Sequence, residues 1–319
     1  MSAESLASTG RRRRNLLLCL VGLLGTSCAA RASSSLFSDR LGEGGAVFSQ
    51  LAKDGAERAA AQAKPGKYPQ LLFEKFQGGE EKALYQLYTL AKEGDPNART
   101  VMGWMFDNGV GVEADHYKAA ELFTLAAPKV ELARYNLGVL TLAGRGATAS
   151  PQKAMEHFAK CKRIGEAFVH LAWYAVEHGR GNAALEFAEK AAALRHPAGM
   201  YLYARLLIEK GDGKQGAPIM RRAANANERE AVQAMAAIYD RGLGVEVDPG
   251  MAAGWWINDR VLNHGESLPD AERAIERFSI SKADQGKATR FARKWLTNRT
   301  AAIAFDPKAT LNFTDFRRG

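Results

Sequence analysis

The chain has 319 residues, 46% of them hydrophobic and 25% charged, which supports a substantial folded core and excludes a disordered or membrane-embedded bulk. The formal charge of +9 is carried by the two ends: residues 1–32 hold five arginines and one acid, and residues 272–319 hold eleven Lys/Arg against five Asp/Glu. The middle is therefore near neutral. Alanine recurs in periodic segments while alternating Val/Ile/Thr stretches are lacking, so the composition leans to all-α.

Residues 1–32 read as an export signal. A positive block at 11–14 precedes a short apolar run at 16–24, too short to span a bilayer, and then small residues at 25–30. Two cleavage modes fit. Leu24-Gly25-Thr26-Ser27-Cys28 resembles a lipobox that would lipidate Cys28, with Gly25 a departure from the usual Leu, Val or Ile; Ala30-Arg31-Ala32 fits ordinary signal peptidase. Both place the mature protein in the periplasm, the first with a lipid anchor to the outer membrane. Arg13-Arg14 leaves a twin-arginine route open beside the general secretory one. Residues 33–68 form a linker. Cys161 is the one cysteine of the body, so no intramolecular disulfide framework exists.

A repeat occupies 69–262. Gly-x-Gly recurs at Gly109, Gly144, Gly179, Gly211 and Gly242, at spacings of 35, 35, 32 and 31 residues. A pair of small residues five apart precedes each: Ala98 and Gly103, Ala133 and Gly138, Ala167 and Ala172, Gly199 and Ala204, Ala231 and Ala236. A further alanine follows: Ala119, Ala154, Ala184, Ala217 and Ala252. Seven residues on come Ala126, Cys161, Ala191 and Ala224, with Asp259 breaking the pattern in the fifth unit.

The physical reading is a helical hairpin. Helix A carries the small pair, glycine ends it in a left-handed residue, and helix B begins at Ser150-Pro151 or Asp248-Pro249, a capping oxygen followed by proline. Asp95-Pro96 starts a helix A in the same way. Leu84, Leu87, Tyr88 and Ala91 indicate a helix B before the first unit, with residues 69–77 as its degenerate partner. One hairpin cannot bury its apolar face, but a stack can. The expected fold is a right-handed α-solenoid of about five to six helix-turn-helix repeats. Ala288, Phe291, Ala292, Trp295 and Leu296 then form an amphipathic helix, so 263–300 is expected to be a C-terminal helical cap, with Leu268-Pro269-Asp270 starting a shorter helix. Residues 301–319 are expected to be an extended tail.

Residues 97–127 (NARTVMGWMFDNGVGVEADHYKAAELFTLAA) and 227–256 (NEREAVQAMAAIYDRGLGVEVDPGMAAGWW) resemble the Sel-one-like repeat, a relative of the tetratricopeptide repeat. Units three and four depart from it in their shorter loops. The resemblance covers about 80–262. It implies an adaptor, in exported bacterial members a scaffold in polysaccharide secretion or envelope signalling, with a protein as partner.

Chemistry is sparse. The recurrent Gly-x-Gly lacks the strand and third glycine or lysine of a phosphate loop. His170 and His178 could share a helix face, but no third ligand completes a metal site. Cys161 lies four residues from His157, yet it fills a slot that alanine takes elsewhere. No catalytic constellation or cofactor is implied, and the reading is non-enzymatic. Partner-binding residues are expected on helix A, facing a concave groove: Trp104 and Thr100, Val139 and Tyr135, Trp173 and Val169, Arg205 and Tyr201, Ala237 and Gln233. The same tryptophans could instead only pack between neighbouring A helices. A carbohydrate or peptidoglycan groove of aromatics is the alternative function. The basic stripe Lys287, Arg290 and Lys294 on the cap is either a solvated face or a contact for anionic polysaccharide or lipid headgroups; nucleic acid is not an expected partner of an exported protein.

Overall fold

The computed structural model describes residues 68–304; Cys28, the export segment and the linker up to residue 67 lie outside them, as do residues 305–319. Among the described residues there are fourteen α-helices and no strand. The A helices are α1 (Tyr68–Gln77), α3 (Pro96–Asn108), α5 (Glu131–Ala143), α7 (Gly165–Glu177), α9 (Pro197–Glu209) and α11 (Arg229–Arg241). Their B partners are α2 (Glu81–Glu93), α4 (His116–Ala126), α6 (Pro151–Ala159), α8 (Gly181–Ala193), α10 (Gly213–Asn225) and α12 (Pro249–His264). A short α13 (Leu268–Ala274), one 3-10 turn (Ile275–Arg277) and a long α14 (Lys282–Ala304) complete the array. It is an all-α solenoid of a leading hairpin, five repeats and a helical cap.

Local chemistry sets the boundaries. Asp95 accepts from the Ala98 N–H at 2.7 Å, Ser150 from Lys153 at 3.4 Å and Asp248 from Met251 at 3.0 Å, each with proline in the first turn. Such a cap contributes about 1 kcal/mol. Gly109, Gly144 and Gly242 end α3, α5 and α11 with φ of 65–69°, in the left-handed region. Segments 109–115, 144–150 and 242–248 then lead to helix B, whereas repeats three and four turn within 178–180 and 210–212.

In the long turns a second glycine touches the preceding repeat. A Cβ on Gly146 would lie 2.3 Å from the His116 carbonyl oxygen, and one on Gly244 would lie 2.0 Å from the Gly213 carbonyl. In repeats three and four the second glycine, Gly181 or Gly213, is instead the first residue of helix B.

Small residues let the two helices of a hairpin meet. Ala98, Ala133, Ala167 and Ala231 are fully buried on A helices, as are Ala119, Ala154 and Ala184 on B helices. Gly103 faces Phe123, whose ring lies 2.8 Å from where a Cβ would stand, and Gly138 faces Phe158 at 2.6 Å. The third repeat fills this space with Ala172 and Ala188. The fifth departs: Ala252 is half-buried while Ala253 and Trp255 are buried, because α14 covers α12 from a further side. Asp259 still occupies a buried slot, held by the Asn263 amide at 2.6 Å and by His264 at 3.3 Å.

The pairs α1–α3, α3–α5 and α7–α9 touch directly, and no successive B helices do so to the same extent. The A side is thus the inside of the curve. At the far end α14 runs parallel to α12: Gly250 lies against Lys287, Gly254 against Ala288 and Phe291, and Trp255 is sealed between Phe291 and Trp295 at 5.2 Å each. Ala288 and Ala292, one turn apart, are fully buried in this seam. Trp295 Nε1 also donates to Asn225 at 2.8 Å, tying α14 to α10. The helix continues to Ala304, so residues 301–304 belong to the cap and not to an extended tail. Likewise α12 reaches His264, past the expected end at 262.

Candidate partner-binding groove

The A helices place their fourth-residue rows side by side on the inner face. Trp104 on α3 is half-buried and meets Phe73 of α1 edge-on at 5.5 Å. Trp173 on α7 is half-buried under the Arg205 guanidinium of α9, 5.7 Å from its ring centre. Arg205 in turn donates to Glu209 at 2.6 Å; burial works against its charge, and Glu209 and Tyr201 outweigh it. Both tryptophans therefore pack between neighbouring A helices and still present part of their surface.

Between them the groove is built of Tyr135, Val139 and Val169. The valines are half-buried against the core around Phe158 and Leu171. Tyr135 packs on Phe158 at 5.6 Å and His170 at 6.2 Å, and burial, followed by nearby Glu166, raises its phenol above the ordinary range. Tyr201 and Ala237 are half-buried and Gln233 is exposed. Thr100 is a correction: it is 1% exposed, and its hydroxyl donates to the Pro96 carbonyl at 2.7 Å. A threonine hydroxyl on a helix commonly bonds back in this way, which removes it from any partner's reach.

His170 was not singled out for the groove, yet it belongs there. It stacks on Phe158 at 4.6 Å, and burial pushes its imidazole down to about 4, so it is neutral near pH 7. Glu166, one turn earlier on α7, pairs with His196 at 3.2 Å across the next hairpin. The spacing of Glu166 and His170 was the available signal. His178 points elsewhere, to the Tyr174 carbonyl at 2.8 Å.

Against known proteins, the Sel1 repeat model matches residues 96–127, 132–160 and 229–257. The chain carries three Sel1 repeats. The three matched units are those with long turns, α3–α4, α5–α6 and α11–α12. A Sel1 repeat protein from Oxalobacter formigenes has a similar solved structure, at a TM-score of 0.57 and 19% identity over 73% of this chain and 96% of that one. The c5321 protective antigen of uropathogenic Escherichia coli strains, with an SLR fold, is matched at a TM-score of 0.47 and 21% identity over 80% and 66%. No curated protein matches the sequence. Sel1 repeats commonly mediate protein–protein contacts, typically as non-enzymatic scaffolds.

Elsewhere in the Sel1 array, Cys161 is 1% exposed and its thiol is pushed up to about 12 by burial and then Glu131. It is protonated at neutral pH and serves as a small filler, like Ala126 and Ala191. On the cap, Lys287 is committed to Asp248 at 2.5 Å, which removes it from the expected basic stripe; Arg290 and Lys294 are exposed.

Proposed function

We propose that this Sel1-repeat protein is a non-enzymatic scaffold of the bacterial envelope that holds a protein partner in the groove of its A helices. The reading includes export to the periplasm, with Cys28 as a lipid attachment point, and a place in a secretion or exopolysaccharide assembly. The observation that carries it is the set of half-buried Trp104, Trp173, Tyr201 and Arg205 on the inner helices α3, α7 and α9. Aromatic and arginine side chains in such partly desolvated positions are what anchors interfaces. A carbohydrate groove is less well supported, since stacking on a sugar needs an open ring and Arg205 overlies Trp173.

The test is capture of envelope proteins on the immobilised chain, beside binding to isolated polysaccharide. Trp173→Ala with Arg205→Ala should weaken capture of a partner by roughly 30-fold or more, as loss of an interface anchor does. Polymer bound without any protein would overturn the reading in favour of the carbohydrate one.

A further inference from the structure

All A helices run the same way, so every turn from a B helix to the next A helix lies on one long edge of the solenoid. That edge carries Lys129, Lys160, Lys162, Arg195, Arg222 and Arg229, all exposed. None of the six has a carboxylate partner among the described residues. Four acids of the same edge are engaged with other groups, while Glu93 at the end of α2 is exposed. Glu131 accepts the backbone N–H groups of Lys162 and Arg163 at 2.7 and 2.6 Å, Glu166 holds His196, and Glu228 and Glu230 hydrogen-bond each other. The opposite edge mixes both signs: Asp107 bridges His116 and Arg145 at 2.9 Å each, Asp115 meets Lys118 at 3.2 Å and Asp248 meets Lys287, and exposed Lys153, Arg180, Lys214 and Arg241 alternate there with exposed Glu113, Glu177, Asp240 and Glu246. A near-neutral repeat region thus folds with an excess of positive charge along one edge and both signs mixed along the other.

The basic edge is also apolar at two points. Leu125 at the end of α4 is 50% exposed, and Leu194, next to Arg195, is 41% exposed. Beside Leu194 opens a cleft of about 480 Å³, with Ala159, Phe168 and Ala193 in its wall and Lys162 and Lys190 among its lining. Helices in neighbouring hairpins pack about 10 Å apart, so the cations extend over about 30 Å. A row of cations with leucines and an apolar cleft between them fits headgroups above and acyl chains below. A soluble polyanion would use the cations alone.

We propose that this edge docks on an anionic lipid bilayer, leaving the groove free for its partner. The idea is independent of the groove, and its failure would leave that reading untouched. The test is co-sedimentation of the full chain carrying Cys28→Ser, so that no acyl chain contributes. The vesicles are mixed phosphatidylglycerol and phosphatidylethanolamine, compared with phosphatidylcholine alone, at low and high salt. Wild-type edge should bind the anionic vesicles and release in high salt. Lys162→Gln, Arg195→Gln and Arg222→Gln together should weaken binding on the order of 100-fold, about fivefold per charge. Leu194→Ser should weaken it a few-fold, and Arg290→Gln with Lys294→Gln on the cap should leave it unchanged. Unchanged circular dichroism shows that these surface variants still fold. Binding through residues 16–24 would be common to all variants and insensitive to salt. Equal binding by the triple variant, or a chain that ignores the vesicles and binds a soluble anionic polysaccharide, overturns the proposal.

Discussion

Repeats one and two and repeat three solve the same packing problem in opposite ways. In the first two a glycine on helix A accepts a phenylalanine from helix B, Gly103 with Phe123 and Gly138 with Phe158. In the third, Ala172 and Ala188 split the volume evenly. The turns differ in step: the long turn of repeat two lays Gly146 on the backbone of the preceding repeat, while Gly179 and Gly211 in the short turns have nothing within 4 Å of a Cβ position. The contrast teaches that a repeat fixes the sum of two side chains and the direction of the chain, not the identity of either residue.

The largest effect should come from the turns. Gly146→Ala combines positive φ with a backbone clash at 2.3 Å and is expected to destabilise by about 3 kcal/mol or more. Gly179→Ala has only the conformational term and should cost about 1 kcal/mol. Urea unfolding compares them, and equal losses would show that the long turn does not couple repeats. Next come the hairpin interiors. Gly138→Ala should cost about 1–3 kcal/mol through overpacking on Phe158. Adding Phe158→Leu should make the pair cheaper than the sum of the two single changes, and strict additivity in a double-mutant cycle would deny the interlock.

A pH-dependent contrast concerns the start of a helix A. Asp95 caps α3 with its carboxylate, whereas Glu228 makes no side-chain cap to α11. Burial, then its hydrogen bond with Glu230, raises Glu228 from 4.5 to about 8. With the folded value above the unfolded one, the contribution is full below pH 4.5 and is lost as pH rises through about 8. Glu228→Gln should therefore flatten the fall in melting temperature across that window. A wild-type profile already flat there would remove the shared proton.

The fold was legible because glycine and alanine recur at places where steric necessity leaves little choice: left-handed caps at Gly109, Gly144 and Gly242, and buried small residues such as Ala98 and Ala133. Shorter turns in repeats three and four could be read from the closing of the spacing to 32 and 31 residues. The groove was legible only in part. Spacing places Trp173 and Arg205 on the inner face, but it does not reveal that Thr100 bonds back to its own helix or that His170 lies stacked on Phe158. The charged edge was invisible for another reason. Formal charge weighs Glu131 and Lys162 alike, and only the folded chain shows that Glu131 is consumed by backbone N–H groups while Lys162 stays exposed.

Trp255 sealed beneath Phe291 and Trp295 has a bearing on how such an array grows. With α14 lying along α12, the face that would receive another hairpin is already occupied. A gene duplication within residues 96–241 copies a unit whose two neighbours remain compatible with it. One inserted after His264 would have to pry α14 off its glycine seat first. Lineages descended from this chain should therefore vary in hairpin number by internal copying, with the α12–α14 pair carried along unchanged as the terminus of every length.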